Sequence, residues 1–210
     1  MAYNQFKLTD LDKNFGIKIR HQGFLPDIFP LFESPQLLLD NLLAAKEEAL
    51  GTEKAKSEHI VLPVIKGLKQ RNADRFSYFS GYSFEVDSDL KLNGYCDFLF
   101  TAVPYQVHIN SPVFCLVEAK NDIVEERWGQ CGAEMYAAKL FNERNDTPKK
   151  AIYGCVTNAF SWSFLKLEGH ILHIDPNYIP LTFAEPQHVL AVLQWILDMS
   201  IGDSDLLVQT

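Results

Sequence analysis

Apolar residues recur at helical spacing after Ser34-Pro35, where Leu38, Leu39, Leu42, Leu43 and Ala45 form a stripe that ends near Gly51. Serine followed by proline reads as an N-cap and first turn, because the N–H that proline lacks is one a first turn leaves unbonded anyway. A second helical pattern sets Val61, Val64, Ile65 and Leu68 at i, i+3, i+4 and i+7, and Pro63 predicts a kink within it or marks its early turns. Glu58 lies three residues before Val61 and seven before Ile65, which predicts a place toward the buried side, where a carboxylate needs a partner. Three stretches at roughly 76–86, 92–103 and 113–120, rich in Phe, Tyr, Val and Leu and separated by polar turns, predict an antiparallel meander. Helical period returns over about 123–145, with Val124, Trp128, Cys131, Met135 and Ala138 on one stripe and Asp122 and Glu125 spaced as a capping box. Two further strands at 151–158 and 164–174, the second broken at Glu168-Gly169, precede a closing helix over about 186–199. The order is α-α-β-β-β-α-β-β-α, an α/β (α+β) chain. Residues 1–33, with Pro26 and Pro30 among mixed aromatics, read as an irregular segment lying over the core.

Composition narrows the picture. With 210 residues, 47% of them hydrophobic, and no repeat or low-complexity tract, one core over 1–210 is expected. Nineteen basic against twenty-seven acidic residues give a net charge of -8, which excludes a basic coat for non-specific binding to nucleic acid or anionic lipid. Cys96, Cys115, Cys131 and Cys155 form no CxxC pair, and the first residues lack the basic-then-apolar order of an export signal. No apolar run approaches the ~20 residues that span a bilayer. A reduced, soluble, cytoplasmic chain is the expectation.

The candidate chemistry lies in two of the strands. Asp97 interrupts the apolar run Gly94-Tyr-Cys-Asp97-Phe-Leu-Phe, and Val113-Phe-Cys-Leu-Val-Glu118-Ala-Lys120 ends in a Glu-x-Lys triplet. Strand alternation sends Glu118 and Lys120 to one side of the sheet and leaves the Ala119 carbonyl free as an oxygen ligand. If these strands pair, Asp97 approaches Glu118, and two such carboxylates repel unless a cation lies between them. Phosphodiester hydrolysis by a divalent metal needs such converging carboxylates and a group that orients water.

Asp97, a 20-residue gap, and Glu118-Ala-Lys120 resemble the PD-(D/E)XK nuclease superfamily, whose signature is an acidic residue on one strand and E-x-K on the next. The resemblance implies a restriction-endonuclease-like core, α-β-β-β-α-β, over roughly 52–158, with a mixed sheet flanked by helices and 159–210 as an extension. It implies a Mg²⁺ (or Mn²⁺) site on Asp97 and Glu118, with Glu58 on the preceding helix serving a second metal or the metal-bound water. Lys120 would orient or deprotonate water, and Gln130 would orient Lys120 or contact a phosphate. The recombination-exonuclease branch continues as Gln-x-x-x-Tyr; here the fifth position is Glu134. The expected function is hydrolysis of DNA, with a second copy of the chain as a candidate partner for cutting two strands. The alternative is a catalytically silent nuclease-fold module for binding or assembly.

Competing readings are local. His170, His173 and Asp175 form a rival metal cluster on a hairpin. Glu58 is also what a helix dipole favours in a first turn capped by Ser57, and Gln130 reads equally as a polar residue beside an apolar stripe. Cys115 and Cys131 lie in apolar stretches without a neighbouring base and read as core. Lys66, Lys69, Arg71, Arg75, Arg127, Lys139, Arg144, Lys149 and Lys150 would track a phosphate backbone or serve solubility alone.

Overall fold

The chain opens with regular structure, in a computed structural model that describes residues 3–119 and 123–205. A 3-10 turn at Tyr3–Gln5 leads into α1 (Leu8–Phe15), and β1 (Lys18–His21) comes next. The irregular segment expected over 1–33 is therefore confined to residues beyond 21. The reason is partly local: Asp10 accepts from the Lys7 N–H at 2.9 Å, Leu11 and Phe15 turn inward, and Gly16 ends the helix at φ +68. β1, by contrast, is a strand because it pairs with one contributed from the other end of the chain.

α2 (Gln36–Ala44) has Pro35 rather than Ser34 at its N-cap and passes into a 3-10 turn at Ala45–Glu47, short of Gly51. The second pattern resolves into α3 (Glu53–Lys56), a π turn at Ser57–Val61 and α4 (Leu62–Arg71). Its cap is Thr52, whose Oγ1 accepts from the Ala55 N–H at 3.1 Å, not Ser57. Pro63 has no N–H to return to the preceding turn, and Leu62 donates to the Ser57 carbonyl five residues back. One extra residue in a turn rotates the upstream part of a helix by roughly 100° relative to the downstream part. Val61, Val64, Ile65 and Leu68 are buried as expected, and Ile60 with them, but Glu58 is exposed.

The remaining elements are β2 (Ser77–Ser83), β3 (Tyr95–Thr101), β4 (Val113–Ala119), a 3-10 turn at Val124–Arg127, α5 (Trp128–Arg144), β5 (Ala151–Thr157), β6 (Ser161–Glu168), β7 (Ile171–Ile174), β8 (Ile179–Pro180) and α6 (Gln187–Asp205). They build one mixed sheet in the order β1-β7-β6-β5-β4-β3-β2, with β8 paired to β6. β2, β3 and β4 form the expected antiparallel meander, and α5 carries the chain across to β5, parallel to β4. The Asp122 half of the expected capping box lies outside the described residues.

Helices cover both faces. On one, α2, α4 and α6 pack Leu42, Val64, Leu68 and Leu193 against Phe100, Phe114 and Trp162. On the other, α1 and α5 pack Leu11, Cys131 and Met135 against Leu99, Leu116, Val156 and Leu172. Each such side chain contributes about 1.5–3 kcal/mol when fully buried. The four cysteines are free thiols within these cores, and no helix among the described residues is long and apolar enough to cross a membrane.

α5 lies flush beneath the N-terminal turn. A Cβ at Gly129 would meet the Lys7 carbonyl carbon and the Phe6 oxygen at 2.5 Å, and both belong to backbone that cannot swing aside. Gly129→Ala is expected to destabilise the chain by about 2 kcal/mol, the usual scale of overpacking. Urea unfolding measures this, and an unchanged midpoint would mean that the N-terminal turn is not seated there.

Candidate functional site

β2 and β3 change phase together at a single point. Ser80 pairs with Phe98 and Tyr82 with Cys96, which leaves Gly81 across from Asp97. Residues two apart on a regular strand share a face. Here Phe98 packs with α2, α4 and α6, whereas Cys96 packs with α1 and α5. On β2 the rings of Phe79 and Tyr82, three residues apart, meet at 5.3 Å. Gly81 has φ +60, a conformation glycine adopts without the steric cost of a Cβ, and this permits the paired kink.

The kink gives Asp97 a different task. The β3–β4 ladder reaches Phe98 and Val117, and beyond it the Asp97 Oδ2 accepts from the Ala119 backbone N–H at 2.9 Å. A side chain thus bonds the last residue of β4 and holds a half-buried carboxylate at that end of the sheet. Glu118 precedes Ala119, pairs with Val156 of β5 and is completely buried. Its carboxyl hydrogen-bonds that of Glu134, a completely buried residue of α5, and Gln130 Nε2 donates to Glu134 Oε1 at 3.0 Å.

Two carboxyl groups hydrogen-bond each other only when one carries a proton, since a carboxylate is an acceptor alone. Burial pushes Glu134 well above the ordinary carboxyl range. The charge of Glu118 and the bond to it add to this, Gln130's donation opposes it, and Asp97's charge adds again. One proton is therefore shared by the pair, and burial favours the protonated form of Glu134. Burial also raises the Cys96 and Cys131 thiols, with Glu134 and Glu118 contributing to both, so the sulfur atoms nearby are neutral.

Of the residues expected at the site, Asp97 bonds the Ala119 N–H at the end of β4, Glu118 is the residue before Ala119, and Gln130 bonds Glu134 beside Glu118. Lys120 lies outside the described residues. Glu58 does not join: it pairs with Lys54 at 3.8 Å and lines a surface crevice with Asn41, Glu48, His59 and Lys66. The π turn explains this, because the expected placement assumed an uninterrupted helix. Glu134 is a member that sequence reasoning missed. Its signal is present: it lies four residues after Gln130, and it sits within the apolar stripe between Cys131 and Ala138.

The hairpin cluster is dispersed. Asp175 is buried and accepts from the Phe24 and Leu25 N–H groups at 2.9 and 3.0 Å. His170 faces Tyr136 of α5, while His173 stands beside Lys166 on β6.

Among the described residues no group of three or more His, Cys, Asp or Glu is arranged to hold a metal ion as it stands. The donors gathered at the end of β4 are nevertheless oxygens: the Asp97 and Glu118 carboxyl groups and the Ala119 carbonyl. Their chemistry fits a hard divalent cation such as Mg²⁺ or Mn²⁺ better than zinc. No protein-family model matches the chain, and no curated protein matches it.

The shared proton has a measurable consequence. A carboxyl raised above its ordinary value of 4.5 keeps its proton in the folded chain after the unfolded chain has lost it. Stability therefore falls as pH rises above that value, by at most about 1.4 kcal/mol per pH unit for one proton. Glu134→Gln keeps the shape and hydrogen bonding without the proton. Urea unfolding from about pH 5 to about pH 8 is expected to show a flatter dependence in the variant. An identical slope would rule out proton sharing between Glu118 and Glu134.

Proposed function

We propose that the chain is a Mg²⁺-dependent nuclease that hydrolyses phosphodiester bonds of DNA. The observation that carries this reading is the Asp97 bond to the Ala119 N–H, which brings Asp97 to the strand end that carries Glu118. The element order around it, α4-β2-β3-β4-α5-β5, with an antiparallel β2-β3-β4 set and a parallel β4-β5 pair, supports a restriction-endonuclease-like core.

In this reading Asp97, Glu118 and the Ala119 carbonyl hold the cation. When bound, it lowers the pKa of a water and offsets charge on the phosphoryl oxygens. The chain's own groups do the rest. Asp97 is fixed by a backbone donor and needs no reorganisation. Glu134, held neutral, and Gln130 orient the Glu118 carboxylate from behind. Lys120, next along the chain from Ala119, orients or accepts a proton from the attacking water and offers its charge to the phosphorane. Glu58 is assigned no part. One carboxylate set per chain cuts one strand, so cutting both calls for a second copy.

The silent module is favoured by a different observation: the Glu118 carboxyl is already engaged with Glu134, in a chain of net charge -8. Calorimetry with Mg²⁺ or Mn²⁺, and then incubation with mixed nucleic acids, separates the two. Metal uptake and chelator-sensitive cleavage are expected. Asp97→Asn should lower cleavage by about 10²- to 10³-fold, the scale for losing one preorganised electrostatic group, with an unchanged circular dichroism spectrum. Absence of both uptake and cleavage would leave the module reading, and undiminished cleavage by Asp97→Asn would sink the proposed site.

A further inference from the structure

The outer end of the sheet carries charge that the carboxylate site does not use. β1, β7 and β6 pair so that Arg20 stands beside His173, and His173 beside Lys166. Paired residues point to the same side of a sheet. Here that side is the one of Tyr153, which is paired to Lys166 on β5 and packed in the core of α2, α4 and α6. Glu118 and α5 lie on the opposite side, where Ile19, Leu172 and Ile174 also point.

On the Tyr153 side α6 packs chiefly on β5 and β8. Over β7 and β1 Arg20 is exposed, and His173 and Lys166 are half-buried, with Phe24 of the segment after β1 packed beside Lys166. Lys166 lies 5.8 Å from the Phe24 ring and pairs with Glu168 at 3.0 Å, and Lys18 pairs with Asp12 at 2.6 Å. Arg20 has no ion-pair partner among the described residues. The groups that act on His173 are Lys166 and Glu168 from β6 and Arg20 from β1, so the carboxylate among them is Glu168 alone. Asp175, farther along, is occupied by the Phe24 and Leu25 N–H groups.

One basic side chain per strand, with strands about 4.8 Å apart, makes an evenly spaced row roughly 10 Å long. Arg20 and Lys166, the latter shared with Glu168, carry the standing charge of the row, and His173 between them adds a donor and, on acidification, a third charge, which suits a polyanionic strand. We propose that the row Arg20–His173–Lys166 is a second binding surface of this chain and holds the sugar-phosphate backbone of a nucleic-acid strand. This inference takes from the proposed function only that the ligand is a nucleic acid. Burial holds His173 below its ordinary value, and Lys166 and Arg20 act the same way against the opposing pull of Glu168. The imidazole therefore donates from its neutral form at neutral pH and adds a charge on acidification.

The test is fluorescence anisotropy of a labelled single-stranded oligonucleotide with the full chain in EDTA, across a range of salt. Arg20→Ala is expected to weaken binding about tenfold and to lower the salt slope by about one, as for the loss of one phosphate contact. Lys46→Ala, on an exposed turn elsewhere, should change neither. Wild-type binding should tighten from about pH 7.5 to about pH 5.5, and His173→Gln should remove that gain. Absence of binding, or equal binding by Arg20→Ala and Lys46→Ala, overturns the proposal. So does an Arg20→Ala effect confined to self-association in light scattering, which would mark the row as a guard on an edge strand or a seat for a second copy. A chain that binds through Arg20 but never cleaves refutes the nuclease reading and leaves this one standing. Cleavage with Arg20-independent binding does the reverse.

Discussion

The bond from the Ala119 N–H to the Asp97 carboxylate is the contact around which the site is arranged. It replaces a backbone acceptor with a side chain at the end of a central strand, and it can do so because β2 and β3 bend together at Gly81 and Asp97. Without that bend Cys96 would share a face with Phe98. With it, Cys96 enters the α5 core. The kink, the carboxylate and the neighbouring thiol are thus consequences of one backbone conformation.

The second constraint is electrostatic. Glu118 and Glu134 are both completely buried, and a pair of buried charges of the same sign would cost far more than a fold of this size tolerates. A shared proton removes one of the charges, and the Gln130 amide donates to Oε1 of Glu134. α5 must approach the sheet closely for this. Gly132 and Gly154 allow it: a Cβ at Gly154 would meet the Met135 sulfur at 2.5 Å, and one at Gly132 the Leu11 side chain at the same distance. Small residues on the helix and strand thereby set how near Glu134 comes to Glu118.

Much of this is legible in the chain. The meander, the long helix after it and the pair Asp97 and Glu118 emerge from alternation and from acidic residues that interrupt apolar runs. The illegible parts depend on contacts between distant segments or on one-residue changes in backbone geometry. β1 is too short and polar to read as a strand and exists by pairing with β7. α1 carries its signals in Asp10, Leu11 and Gly16, yet it is only eight residues long and lies ahead of a proline-rich stretch that reads as irregular. Glu134 reads as a departure from a tyrosine, although its position within the apolar stripe marks a buried acid in need of a partner. Glu58 is misplaced by periodicity because periodicity assumes an unbroken spiral.

That interruption makes the phase of the helix before β2 depend on one residue. An extra residue in a turn is an index that a single deletion can reset, and losing one position between Ser57 and Val61 would swing everything upstream by about a quarter of a revolution without moving α4. Glu58 would then leave the crevice it shares with Glu48 and His59. Which acidic side chain faces that crevice is in this sense set by chain length, with no change in residue type.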